Sequence, residues 1–304
     1  MIPKEDKQGK AGFTLTELLV VVGVLGLLAL LLLPAYGDSR TKSREIQCLD
    51  NLRRVMNGAL LYTRDNHDLF PPNPDDGTSL EGYAWAVGNV AGGLTSPPPG
   101  SQVFNSDQSA NSNKFLLLPY VGGDPSVFRC TADARQGLYS GSDSNKFGTT
   151  VSAIRSIAMS QAVGTADQSW LAGGAHSGKP NLPVPGAWLT GSHGQNAHNN
   201  PWRTYGSLTD MVVPIPANTW VFIEEDPYSI NDGGFAMSVA TWRWIDYPTT
   251  RHNMAGGLTF GDGHVELHKW QNIGLRLSLT GGALLPANDS DWLWLKSRTS
   301  VQAQ

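Results

Sequence analysis

Nine residues separate His252 from the dipeptide Asp262-Gly263, and His264 and His268 follow close behind. With Asp246 upstream, these are the side-chain types that exchange protons or ligate a cation. Spacing alone does not make them a site. If 264–270 is a strand, His264, Glu266 and His268 share one face and Val265, Leu267 and Lys269 the other. That pattern also describes an ordinary wet face. Asp262 suits a hairpin turn, because its short carboxylate reaches nearby backbone amides. His252 can then bond that carboxylate and tie the preceding loop to the turn. The role expected for His252, Asp262 and Gly263 is structural. No catalytic residue is assigned, since no nucleophile stands in a recognisable motif beside a base.

Glu224, Glu225, Asp226 and Asp232 form the densest acidic cluster. Calcium takes carboxylate and carbonyl oxygens from loops of this kind, but the alternating ligand pattern of a helix–loop–helix calcium site is absent. A solvated acidic strand end is the favoured reading, with a weak calcium site the alternative and no cofactor assigned. Cys48 and Cys130 lie 82 positions apart. An oxidising compartment permits a bridge between them, and two separately buried thiols are the alternative. Ten tryptophans are many for 304 residues. Trp242 and Trp244, and again Trp292 and Trp294, alternate as if on strands. Such rings either stack on sugars or pack a core, and packing is the commoner use.

These groups need elements to hold them. Residues Leu18–Leu33 are sixteen in a row without a polar side chain, nine Leu and four Val among them. On an insertion scale those thirteen are worth about −4 to −8 kcal/mol, against at most about 2.5–3.5 kcal/mol for Glu17. A helix from Phe13 to Tyr36 is about 36 Å long, enough to span a hydrocarbon core. Beyond Pro34, Ile46, Leu49, Leu52, Val55, Met56, Ala59 and Leu60 recur at three- and four-residue steps. They predict an amphipathic helix over 39–66, starting at Asp38 or Ser39 and joined to the first through a kink at Gly23, Gly26 or Pro34. A sheet must cover its stripe. Candidate strands are Ile154–Ser160, Thr219–Glu225, Phe235–Ile245, Gly257–Phe260 and His264–Trp270, the last two flanking the Gly261-Asp262-Gly263 turn. Asp75–Phe115 and Gly173–Asn200 read as surface insertions. Net charge is −4 with no basic tract, so there is no electrostatic footprint for nucleic acid.

The N-terminal stretch Gly12-Phe13-Thr14-Leu15-Thr16-Glu17, behind a polar leader and ahead of the apolar run, resembles the type IV prepilins and type II secretion pseudopilins. That resemblance implies a prepilin peptidase that cuts after Gly12 and methylates Phe13. It also implies that Glu17, the fifth mature residue, pairs with the Phe13 amine of a neighbouring subunit. Pro34 falls twenty-second in the mature chain, where many pilins carry a proline. Some proteins of the resembled class bind calcium near the C-terminal sheet. A second resemblance rests on the His252-to-Asp262 spacing, Asp50-Asn51-Leu52-Arg53, Leu118-Pro119-Tyr120, Val127-Phe128-Arg129-Cys130 and Glu224-Glu225-Asp226-Pro227. It points to a large bacterial group of prepilin-like proteins.

The expectation is an α+β, pilin-like chain in which a long N-terminal helix, its lower half transmembrane, packs on a C-terminal antiparallel sheet with loop-rich insertions. Residues 1–12 are the leader, 13–36 the membrane helix, 37–70 its amphipathic continuation and 71–304 the β-rich extracytoplasmic domain. The expected function is a non-enzymatic subunit of a type II secretion pseudopilus or type IV pilus-like filament. Its partners are the peptidase, other pilin subunits and the inner membrane, crossed once, with the C-terminal domain in the periplasm or on the cell surface. The alternative is an anchored periplasmic module whose Trp-rich domain binds a carbohydrate or a protein. Mass spectrometry of the native protein should find chains starting at N-methyl-Phe13; chains starting at Met1, or after Leu33, contradict the processing reading.

Overall fold

The computed structural model describes residues 13–73, 84–90, 100–167, 181–272 and 287–303, with backbone alone at 29–41 and 181–182. The chain forms two units, residues 1–44 and 45–304. Helix α1, Leu15–Asp65, is one uninterrupted element in the backbone assignment. The restart expected at Asp38 or Ser39 does not occur. One proline removes one ladder bond, and the Leu- and Ala-rich neighbours favour helix. In the first unit Leu18, Leu19, Val20, Val22, Leu25 and Leu27 are each more than half exposed. Among the described residues, no helix is long and apolar enough to cross a membrane. The side chains of 29–36, the later part of the expected span, lie outside the described residues.

In the second unit α1 buries Leu52, Val55, Met56 and Ala59, members of the stripe its spacing foretold, and Tyr62 beside them. Ile46, also on that stripe, is exposed; the first of these turns to be covered is at Cys48. The helix stops because His67 and Asp68 take left-handed backbone angles. The Asn66 side chain donates to the Tyr62 carbonyl (2.8 Å) and the Asp68 amide to the Thr63 carbonyl (2.8 Å), satisfying carbonyls that a helix end leaves open.

The stripe lies on a five-stranded sheet made of β1 Ile157–Ser160, β2 Trp220–Glu224, β3 Gly234–Phe235, β4 Ala255–Phe260 and β5 Val265–Lys269. Their spatial order is β3-β1-β2-β4-β5. All neighbours are antiparallel except β1 and β3, so the sheet is mixed. The strand expected over 235–245 shrinks to two residues. The Ser238 hydroxyl accepts the Thr241 amide at 3.0 Å, which folds the chain back so that Met237 bridges Trp244. The β4–β5 hairpin pairs Ala255 with Lys269 and Thr259 with Val265 around the expected turn.

Helix α1 sits close to β4. The Thr259 hydroxyl faces Met56 Sδ at 3.4 Å, and a Cβ on Gly257 would stand 2.3 Å from Leu52 Cδ1. Trp292 and Trp294 lie on a helix, α2 Ser290–Thr299, and not on a strand as their alternation suggested. Asp289 caps that helix, accepting the Trp292 amide at 2.9 Å. The stretch expected as a surface insertion also contributes to the core. Ala84, Trp85, Ala86, Val90, Val103 and Phe115 are buried, and the Trp85 indole donates to the Gly233 carbonyl at 2.9 Å. Val184, Ala187 and Leu189 do the same for the second stretch, while 74–83, 91–99 and 168–180 lie outside the described residues.

Gly257→Ala forces a methyl into Leu52 and should cost about 1–3 kcal/mol in a denaturant melt. Leu52→Ala, itself destabilising, should relieve part of that cost, so the double variant loses less than the sum of the two.

Candidate functional site

Gly12 lies outside the described residues, and Phe13 is exposed. Glu17 is engaged with its own helix end. Its carboxylate accepts the Thr14 amide at 2.9 Å and the Thr14 hydroxyl at 2.7 Å, while that hydroxyl faces the Glu17 amide at 3.3 Å. This reciprocal arrangement is a capping box, in which each side chain accepts the other residue's open backbone amide. The Thr-x-x-Glu spacing is the local signal for it.

At the other end of the chain, Asp262 is exposed on the hairpin turn and binds His264. Its Oδ1 takes the His264 amide at 3.1 Å and meets the ring Nδ1 at 2.6 Å. Burial pushes this carboxyl up, but the His264 amide and ring outweigh it and hold the group below its ordinary range. Gly263 supplies the left-handed angle the turn needs. The expected bond from His252 to Asp262 is replaced by others. His252 is buried, and its Nε2 lies 3.3 Å from Cys130 Sγ and 3.2 Å from Glu224 Oε2. Nor do the other histidines join it. His264 stacks on Phe260 and His268 on Trp294, at 4.2 and 3.6 Å between ring centres.

The acidic cluster is buried, not solvated: Glu224, Glu225, Asp226 and Asp232 are all 7% exposed or less. Glu224 closes β2 and Glu225, the next residue, bridges Pro248; extended backbone turns successive side chains to opposite sides. Glu224 Oε2 accepts the Gly257 amide at 2.9 Å. Glu225 accepts the Ser229 hydroxyl at 2.9 Å, Asp226 the Tyr228 amide and Asp232 the Gly234 amide. The four carboxylates thus serve different turns. Three arginines that sequence reasoning missed, Arg135 and Arg155 buried and Arg251 half-buried, balance them. Arg155 is fully buried, and burial brings its guanidinium down to about 10 against the pull of Glu225 and Asp232. It donates to the backbone carbonyls of Ile157 and Asp232. Arg135 grips Asp133 through two nitrogens and donates to the Arg155 carbonyl. Arg251 stands 3.5 Å from Asp133 and donates to the Glu225 carbonyl. The only hint in the sequence was that buried acids need counter-charges, which does not say where those charges come from.

Cys48, on α1, and Cys130 are joined by a disulfide, with Cα atoms 5.0 Å apart. The Thr131 amide points at Cys48 Sγ (3.2 Å) and the Ala132 amide at Cys130 Sγ (3.3 Å). Among the described residues, Cys48, Cys130, Glu224 and His252 are the group with the chemistry to hold a metal ion: one ligand atom from each lies within 4.8 Å of all the others. The expected acidic quartet contributes only Glu224 to it.

The tryptophans mostly fill the core. Trp85, Trp220, Trp244, Trp270 and Trp292 are fully buried. Half-buried Trp242 packs on Trp292 at 4.3 Å.

Residues 7–33 match the family model for the prokaryotic N-terminal methylation motif. At that end the chain is type IV prepilin-like, and such a motif implies processing by a prepilin peptidase and assembly with other pilin subunits. No curated protein and no solved structure matches the chain.

Glu225 gives the buried network a pH signature. Burial raises its carboxyl well above the usual range, the Asp246 carboxylate adds to the rise, and Arg155 opposes it. Between its unfolded value of about 4.3 and that raised value, the native state holds more protons than the unfolded chain. Stability from this group is therefore fully present at low pH and declines as pH rises. Glu225→Gln, which keeps an acceptor for Ser229, should remove that decline. Urea melts from about pH 4 to 7 should show wild type losing ground to the variant as pH rises; parallel curves would remove Glu225 as the cause.

Proposed function

We propose that this protein is a structural subunit of a type II secretion pseudopilus or type IV pilus-like filament, cleaved after Gly12 and N-methylated at Phe13. The observation that carries the reading is the methylation motif over residues 7–33, with Glu17 at the fifth mature position. The uncovered apolar side chains from Leu18 to Leu27 support it, because a filament core or a lipid phase is what such a surface requires. In this reading the apolar run crosses the inner membrane once. The leader faces the cytoplasm, and the folded domain stands in the periplasm or on the cell surface. The second unit, with α1 on a mixed sheet, is the displayed body. The anchored carbohydrate- or protein-binding module has less support, since its proposed tryptophan platform is largely spent on packing.

Glu17 separates assembly from capping. Glu17→Gln keeps the side-chain oxygen that Thr14 binds, because Gln also closes a capping box, and loses the charge. Glu17→Ala loses both. If the carboxylate neutralises a neighbour's Phe13 amine, both variants should insert, be processed and fail to enter filaments in a shearing assay. If Glu17→Gln assembles like wild type, its role is the cap alone and the assembly reading falls.

A further inference from the structure

The Cys48–Cys130–Glu224–His252 centre holds more chemistry than a disulfide uses. A cystine needs neither an imidazole nor a carboxylate beside it, and its sulfurs are weak acceptors. Here each sulfur receives a backbone amide, from Thr131 and from Ala132. That is the environment of a thiolate, which gains charge-assisted hydrogen bonds from such donors. All four residues are 2% exposed or less. The Glu224 carboxylate is held in place by the Gly257 amide, and Gly257 is the residue that lets this strand come so close. Around a zinc ion, with bonds of about 2.0–2.3 Å, ligand atoms stand about 3.3–3.8 Å apart. His252 Nε2 is 3.3 Å from Cys130 Sγ and 3.2 Å from Glu224 Oε2. The remaining ligand atoms lie within 4.8 Å of one another, and the bonded sulfurs must separate.

We propose that the dithiol form of this centre binds one zinc-class divalent cation through Cys48 Sγ, Cys130 Sγ, His252 Nε2 and a Glu224 oxygen, and that the disulfide is its oxidised, metal-free state. Thiolate and imidazole donors select such a borderline ion over calcium or magnesium. A dication also answers the charge of a carboxylate buried beside two thiolates. The interconversion balances. Two cysteine thiolates give two electrons to the disulfide of a thiol oxidant, forming Cys48–Cys130, while that oxidant leaves as two thiolates and the cation departs with its charge unchanged. The inference is independent of filament assembly.

The test uses the full chain in detergent, reduced with a phosphine under anaerobic conditions and titrated with Co2+. One equivalent should bind, with a sulfur-to-cobalt charge-transfer band in the near ultraviolet and tetrahedral bands in the visible; Zn2+ should displace it. The oxidised protein should bind none. Cys48→Ser, which leaves one thiolate, should weaken binding and roughly halve the charge-transfer band per bound cobalt, and His252→Gln and Glu224→Gln should each weaken binding at least about tenfold. If the reduced apo chain loses its fold, Zn2+ should restore the wild-type circular dichroism and a chelator reverse it. A folded dithiol protein that binds no cobalt, binding without the sulfur band, equal binding by Cys48→Ser, or an unfolded dithiol chain that zinc does not rescue would each overturn the proposal. The centre would then be a disulfide beside a buried ion pair.

Discussion

Helix α1 can lie on the sheet only because β4 offers no side chain at 257. A methyl there would enter Leu52 and crowd the Glu224 carboxylate, so one absent carbon decides two contacts at once. With the helix seated, Met56 reaches Thr259 and Cys48 comes within bonding distance of Cys130. The hairpin turn meanwhile brings Gly263 beside Leu60. The fold of the second unit hangs on this approach. The hydrophobic gain from five buried helix residues is non-directional, and what gives it direction is the shape of the strand beneath.

The second constraint is electrical. Burying acids next to one another costs several kcal/mol per ion unless counter-charges and hydrogen bonds are supplied. Arg135, Arg155 and Arg251 supply them from three separate parts of the chain. Asp133 shows the balance: burial pushes its carboxyl up, yet the Arg135 hydrogen bonds and the Arg251 charge carry it below its ordinary range. Glu225 shows the opposite outcome: burial raises it, the Asp246 carboxylate adds to the rise, and Arg155 does not outweigh them. The same network therefore contains groups that favour high pH and groups that favour low pH.

What could be read from the sequence was whatever is local or periodic. The apolar face of α1 follows from three- and four-residue spacing, and the β4–β5 hairpin from Gly-Asp-Gly between alternating segments. The N-terminal motif is contiguous and needs no folding to be seen. What could not be read is whatever depends on distant partners. His252 looked like a mate for Asp262, ten positions on; its neighbours in space come from positions 130 and 224. Trp292 and Trp294 alternate equally well on a strand or within one turn of a short helix, and only the Asp289 cap settles which. The acids at 224–232 looked solvated because their arginines are far away in the chain. Glycine- and proline-rich composition suggested surface loops, and it concealed Trp85 and Phe115, whose burial depends on a pocket made by other segments.

Glu224 ends β2 and Glu225 follows it directly, yet they belong to different neighbourhoods: one beside sulfur, imidazole and a glycine amide, the other beside serine and guanidinium. A strand thus acts as a partition. Two identical side chains one peptide bond apart can be tuned separately, because the sheet's thickness insulates the chemistry of one face from that of the other. Change can accumulate on one side of this wall while the opposite side keeps its composition, and closeness along the chain is a poor guide to which residues must vary together.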